Sequence, residues 1–186
     1  MRSFKPIAAA AALSLLAPLA ACSQAESSGD AASAEATDTL AAAIGGDNEL
    51  ATLSSALNEA GLADVFDGPG SYTVLAPSDD AFGEAGKTLS GEEHRAELVA
   101  VLRGHILPGH LTPDAIRKAV ADKKGPVTMT TLDDGQVTFT AEGDTITVSG
   151  ADGSKATVAG DALVATNGVV LPLDGLVKKV PPAPAG

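Results

Sequence analysis

Few side chains here have types and spacing that suit chemistry, and the spacing argues against most of what they could do. Cys22 is the single cysteine, so a thiolate metal pair and an intrachain disulfide are both excluded. The histidines, His94, His105 and His110, lack the His-Glu-x-x-His spacing of a helical zinc site. Ser78, Asp79 and His105 are the parts from which a hydrolase could be assembled, but no Gly-x-Ser-x-Gly elbow presents a serine. The full phosphate-loop pattern, Gly-x-x-x-x-Gly-Lys followed by Ser or Thr, does not occur. Asp133, Asp134, Glu142, Asp144 and Asp152 fall at turn positions and read as solvated turn acids. They lack the alternating oxygen donors, glycine and distal glutamate of a calcium loop, which leaves weak calcium association through clustered charge as the alternative. The expectation is a protein without catalytic residue, metal ligand or cofactor.

Cys22 has a more specific context. Arg2 and Lys5 precede an apolar stretch from Ile7 to Leu19, and Leu19-Ala20-Ala21 leads into the cysteine. The stretch is 13 residues long, short of the roughly 20 that cross a bilayer, so it reads as an export signal rather than a permanent span. Leu19-Ala20-Ala21-Cys22 resembles the lipobox of bacterial lipoproteins. That resemblance implies cleavage between Ala21 and Cys22, diacylglycerol on the Cys22 sulfur and acylation of the new amine. Two or more chains anchor firmly where one does not. The alternative is an ordinary secretory signal that leaves Cys22 a free thiol, a liability in an oxidising compartment. Ser23, not aspartate, follows Cys22, which under Gram-negative sorting is compatible with the outer membrane.

The signal carries two of the 12 basic residues and none of the 24 acids, so the mature chain holds 10 bases against 24 acids, a net charge of −14. Such a surface repels nucleic acid and anionic headgroups and excludes a nucleic-acid partner. Residues 22–38 carry no large apolar side chain and read as a flexible acidic tether, reaching on the order of 20 to 25 Å if unstructured; extension of the next helix by its alanines is the alternative. Residues 39–180 suffice for a single domain with its own core, and the proline-rich tail 181–186 should be disordered.

The elements that must position these residues are read from periodicity. Apolar residues spaced three and four apart between Thr39 and Phe66 predict short helices, Asp67-Gly68-Pro69-Gly70 a turn, and Ser71 to Leu75 a strand. Ser78 or a following aspartate should cap a helical turn at Ala81-Phe82. Ser90-Gly91-Glu92-Glu93 fits a capping box ahead of a face made by Leu98, Val101, Leu102 and His105, and Thr112-Pro113 opens a helix over Ala115 to Ala121. From Pro126 the period becomes two, broken at Asp134-Gly135, Gly143-Asp144 and Asp152-Gly153, which predicts consecutive hairpins. Helices followed by antiparallel strands give an α+β class.

Three stretches taken together resemble the fasciclin domain: Tyr72 to Phe82, with Thr73, Pro77, Asp80 and Phe82; Gly104 to Gly109, with His105, Pro108 and Gly109; and Ala165 to Gly175, with Asn167, Gly168 and Asp174. The resemblance implies a β-sandwich wedge flanked by short helices, used for adhesion and for binding matrix or envelope partners, with these motif residues holding the fold. Where many members have His-Val-Ile-Asp, this chain has Leu171-Pro172-Leu173-Asp174, so the role of that histidine does not carry over. Pro172 cannot donate to a ladder and is expected at an edge or a bulge. Some animal members bind integrins through Glu-Pro-Asp-Ile-Met, but here Gly160-Asp161-Ala162-Leu163-Val164 stands in its place, and no Arg-Gly-Asp occurs. The sequence reading is a non-catalytic lipoprotein of the bacterial cell envelope, held to a membrane through Cys22 and binding a protein or matrix partner. A small-ligand or solute-binding lipoprotein is the alternative.

Overall fold

The structure is a computed structural model that describes residues 36–180. The expectations for the signal, for Ala21 and Cys22, for all but the last residues of the tether and for the tail therefore lie outside the described residues.

Thr39 caps the first helix, α1 (Leu40–Gly46), accepting a hydrogen bond from the Ala42 N–H; α1 buries Leu40 and Ile44. Helix α2 (Ala51–Ala60) buries Leu53, Ala56, Leu57 and Ala60 at helical spacing. It ends on Gly61, whose φ of 71° is the left-handed conformation that a residue without Cβ takes at least cost. Ser78 caps α3 (Asp79–Leu89) through the Ala81 N–H at 3.3 Å. This helix far exceeds the expected single turn, because Phe82 and Leu89, seven residues apart, both bury on one face and hold it through two glycines.

The capping box expected at Ser90 does not form. The Ser90 hydroxyl instead donates to the Lys87 carbonyl, and the Gly91 N–H donates to Glu59 on α2. A 3₁₀ turn over Glu92–His94 then leads into α4 (Arg95–Arg103), which buries Leu98, Val101 and Leu102 as its spacing requires. Thr112 caps α5 (Pro113–Lys123) at the Ala115 N–H, with Pro113 in the first turn.

Among the described residues, eight strands form two sheets. In the first, the order is β2 (Ile106–Pro108), β1 (Tyr72–Pro77), β8 (Gly168–Leu173), β7 (Leu163–Ala165), with β1 and β8 parallel and the outer pairs antiparallel. The second is the expected run of hairpins: β3 (Val127–Thr130), β4 (Gln136–Glu142), β5 (Thr145–Gly150) and β6 (Lys155–Thr157) in sequence order. Their turns place Asp134, Gly143 and Gly153 at positive φ, so in the first hairpin the aspartate, not its glycine, takes the left-handed position.

Alternation along the first sheet divides the interior in two. Val74, Ala76, Ile106 and Val170 face the helical layer of α1 to α4, while Leu75, Leu107, Val169, Leu171 and Leu173 face the second sheet. Val137, Phe139, Ile146 and Val148 meet the latter group from β4 and β5, and Ile116 of α5 enters the same core. The layers are thus helices, sheet and sheet, an α+β wedge in which no other layer among the described residues covers the outer face of the second sheet.

Pro172 lies on β8, a central strand, yet its position answers the expectation of a bulge. Its carbonyl accepts from Ala159, and the neighbouring chain pairs Val158 with Leu173 and Leu163 with Val170. Residues 159–162 therefore lie opposite Leu171 and Pro172 alone, and the ladder has no donor to miss there.

Candidate functional site

The first and last motif stretches are hydrogen-bonded partners, β1 with β8, so Tyr72 stands opposite Gly168 and Pro77 opposite Leu173. Their polar residues are engaged by backbone. The Thr73 hydroxyl, fully buried, donates to the Gly109 carbonyl at 2.7 Å and accepts from the Leu111 N–H at 2.9 Å. Gly109 has φ of 101° and donates its own N–H to Ser71, closing the turn after Pro108 at the end of β2. Asn167 accepts from the Leu40 N–H at 2.8 Å and donates to the Phe66 and Gly68 carbonyls at 2.5 and 3.1 Å. One amide thus ties α1, the Phe66 turn and the β7–β8 hairpin. Gly168 beside it is required by space, since a Cβ there would stand 2.0 Å from the Tyr72 carbonyl oxygen and 2.6 Å from Leu40 Cδ1. Asp174 accepts from the Thr157 N–H at 2.6 Å, joining the end of β8 to β6. Phe82 is core, and Asp80 is an exposed acid in the first turn of α3, where the helix dipole favours it.

His105 follows α4 and is buried. Its Nδ1 lies 2.9 Å from the Val101 carbonyl, and its Nε2 accepts from the Val177 N–H at 3.0 Å, a pattern that requires the neutral ring with the proton on Nδ1. Burial lowers its pKa to about 4, against the raising effect of the Val101 hydrogen bond. Both nitrogens are occupied, so a hydrolase built on Ser78, Asp79 and His105 does not assemble: Ser78 caps α3 and Asp79 accepts from the Thr52 N–H at 2.7 Å. His94 is half-buried beside Glu97 at 3.4 Å and His110 is exposed. No group of three or more His, Cys, Asp or Glu side chains converges on a metal position among the described residues.

Two of the turn acids are not simply solvated, contrary to the sequence reading. Asp133, with 14% of its side chain exposed, pairs with Lys178 and also accepts from the Thr131 hydroxyl and the Gly135 N–H. Burial pushes its carboxyl up, but these three donors outweigh that and hold it below the usual range. Asp152 accepts from the Lys179 N–H at 2.6 Å and from Ser154, and these donors likewise overcome burial and lower its pKa. With the His105–Val177 bond, the two acids strap residues 177–179 across the second sheet. Gly150 permits the close pass, because a Cβ there would stand 2.0 Å from the Val177 carbonyl oxygen. A small cleft of about 190 Å³ remains between this strap and the turns.

A larger cleft, about 390 Å³, opens beside Pro172. Asp47, Glu49, Asp79 and Asp174 give it an acidic rim over Leu50 and Leu173. Nothing in the sequence marked this grouping, since the acids come from three separate segments. At the position of the animal integrin motif, Val164 on the edge strand β7 is 47% exposed.

A family model for the fasciclin domain matches residues 48–179. The chain belongs to the fasciclin domain family. Protein sll1483 of Synechocystis sp. is 29% identical over 151 residues, which cover 78% of this chain and 76% of that protein. The transforming growth factor-beta-induced protein ig-h3 of Sus scrofa is 29% identical over 150 residues, which cover 78% of this chain but 20% of the pig protein. Among solved structures, a FAS1 domain pair from the insect cell adhesion molecule Fasciclin I superposes with a TM-score of 0.68 at 15% identity, over 77% of this chain and 52% of the pair. That likeness shows the fasciclin fold, in which the first and last motif stretches hold the two central strands β1 and β8 and the middle one holds the edge strand β2 and its turn.

Proposed function

We propose that this fasciclin domain is an adhesion module of the bacterial cell envelope, exported by residues 1–21, lipidated on Cys22 and carried clear of the membrane by the acidic tether. The partner is a protein or an extracellular matrix component, and the outer membrane is the site if the cell is Gram-negative. One observation carries the reading: Thr73, His105, Asn167 and Asp174, the polar residues of the family motif that hydrogen-bond within the fold, all bind backbone groups and leave no reactive constellation. What remains to act is surface. The test compares surface attachment and aggregation of a deletion strain with and without the restored gene. Lost attachment that the gene restores is expected, and identical behaviour of all strains would refute the reading.

The acidic cleft beside Pro172 favours a second reading, a binding lipoprotein for a small cationic solute, because its volume falls in the range of ligand pockets, roughly 300 to 1,000 Å³. A rise in melting temperature with added solute would support it, since binding to the native state alone raises apparent stability.

A further inference from the structure

We propose that the open face of the second sheet is a hydroxyl lattice that binds an uncharged polysaccharide surface; this rests on the adhesion reading and names its partner class. The register sets the side chains in rows across the strands. Thr128 stands opposite Thr138, and Thr138 opposite Ser149. In the next row Thr140 stands opposite Thr147, and Thr147 opposite Thr157. Their neighbours along β4 and β5, Val137, Phe139, Ile146 and Val148, are buried, so these hydroxyls point to the opposite side. Neighbours in a row lie about 4.8 Å apart and the rows about 6.7 Å apart by strand geometry, which makes a two-dimensional repeat that follows the twist of the sheet.

Two properties identify the partner. The first is charge: in a chain with 24 acidic residues, the middle of this face has none, and Lys155 and Glu142 stand only at its rim. A cationic polymer would find better sites elsewhere on the protein, and an anionic one is repelled by the whole. The second is hydrogen-bonding capacity. Thr128 and Thr138 share one contact at 3.1 Å, but no partner occurs among the described residues for the hydroxyls of Thr140, Thr147, Ser149 or Thr157. Each offers a donor and two acceptor sites, the same inventory as a sugar hydroxyl. Among the described residues no aromatic ring stands on the face for stacking, so a single sugar gains little and an extended surface gains through many weak contacts.

The test measures retention of the detergent-solubilised full chain on microcrystalline cellulose, with alginate-coupled beads as the anionic control. Wild type should be retained on cellulose and not on alginate, and Thr138→Val/Thr147→Val, which keeps shape and strand preference, should lower retention by about tenfold. Lys118→Ala on α5 should change nothing. Equal retention of the valine variant with an unchanged melting temperature, or no retention of wild type on cellulose, overturns the lattice. Attachment of the deletion strain separates the two ideas: if the restored gene rescues it while cellulose retention is absent, the lattice fails and the adhesion reading stands. If deletion has no effect on attachment, the adhesion reading itself fails.

Discussion

His105 makes the native state acid-sensitive by an amount that its geometry sets. In the folded protein the ring is neutral, donating to Val101 and accepting from Val177, and its pKa falls from the ordinary 6.5 to about 4. The unfolded chain therefore binds a proton in a pH range where the native chain does not. The stabilisation is fully present above 6.5 and is lost as pH falls toward 4. Each pH unit inside that interval is worth about 1.4 kcal/mol, so a change from about pH 7.5 to about pH 4.5 removes about 2.5 kcal/mol. Urea unfolding followed by circular dichroism reads this as a drop of about 1 to 2 M in midpoint. His105→Gln offers an oxygen to the Val177 N–H but does not titrate in this range, so most of the pH dependence between these two conditions should vanish in it. A variant that keeps the full wild-type loss, or a wild type with equal midpoints at both pH values, would refute the assignment of the neutral ring. Below pH 4, Asp133 and Asp152 add to the loss, because their lowered pKa values make their stabilisation disappear as they protonate.

Other substitutions test the contacts that hold the motif. Asn167→Ala leaves the Leu40 N–H without its side-chain acceptor and the Phe66 and Gly68 carbonyls without their amide donor, and should cost about 2 to 4 kcal/mol in thermal or urea unfolding. Gly168→Ala forces β1 from β8 at the Tyr72 carbonyl and should cost more than about 4 kcal/mol, seen as loss of soluble folded protein. Gly150→Ala collides with the Val177 carbonyl rather than with a strand of the same sheet. It should release the strap with a smaller loss, about 1 to 3 kcal/mol, and give faster proteolysis after Val177.

Local signals foretold the elements well. Ser78 and Thr112 cap the helices where their hydroxyls can accept, and the breaks at Asp134, Gly143 and Gly153 separate the hairpins because positive φ is needed there. The failures share a cause. Ser90 had a box pattern, but Glu59 of another helix reaches Gly91, and no local pattern contains that contact. Asp133 and Asp152 have the composition of turn acids, and only the return of Lys178 and Lys179 from the end of the domain makes them a clamp. The parallel pairing of β1 with β8 is equally remote in sequence. The acidic cleft and the hydroxyl face depend on register between segments, which periodicity leaves open. The motif residues were legible because the family resemblance carries tertiary information that composition lacks.

The claim that this fasciclin domain works from the outside of the cell, held by Cys22, is tested most directly by protease shaving of intact cells after fractionation. Wild type should partition with the membrane and lose its domain to protease, and Cys22→Ala should leave the membrane fraction while its domain remains folded. Membrane retention of Cys22→Ala, or a wild-type domain protected from protease in intact cells, would contradict the account.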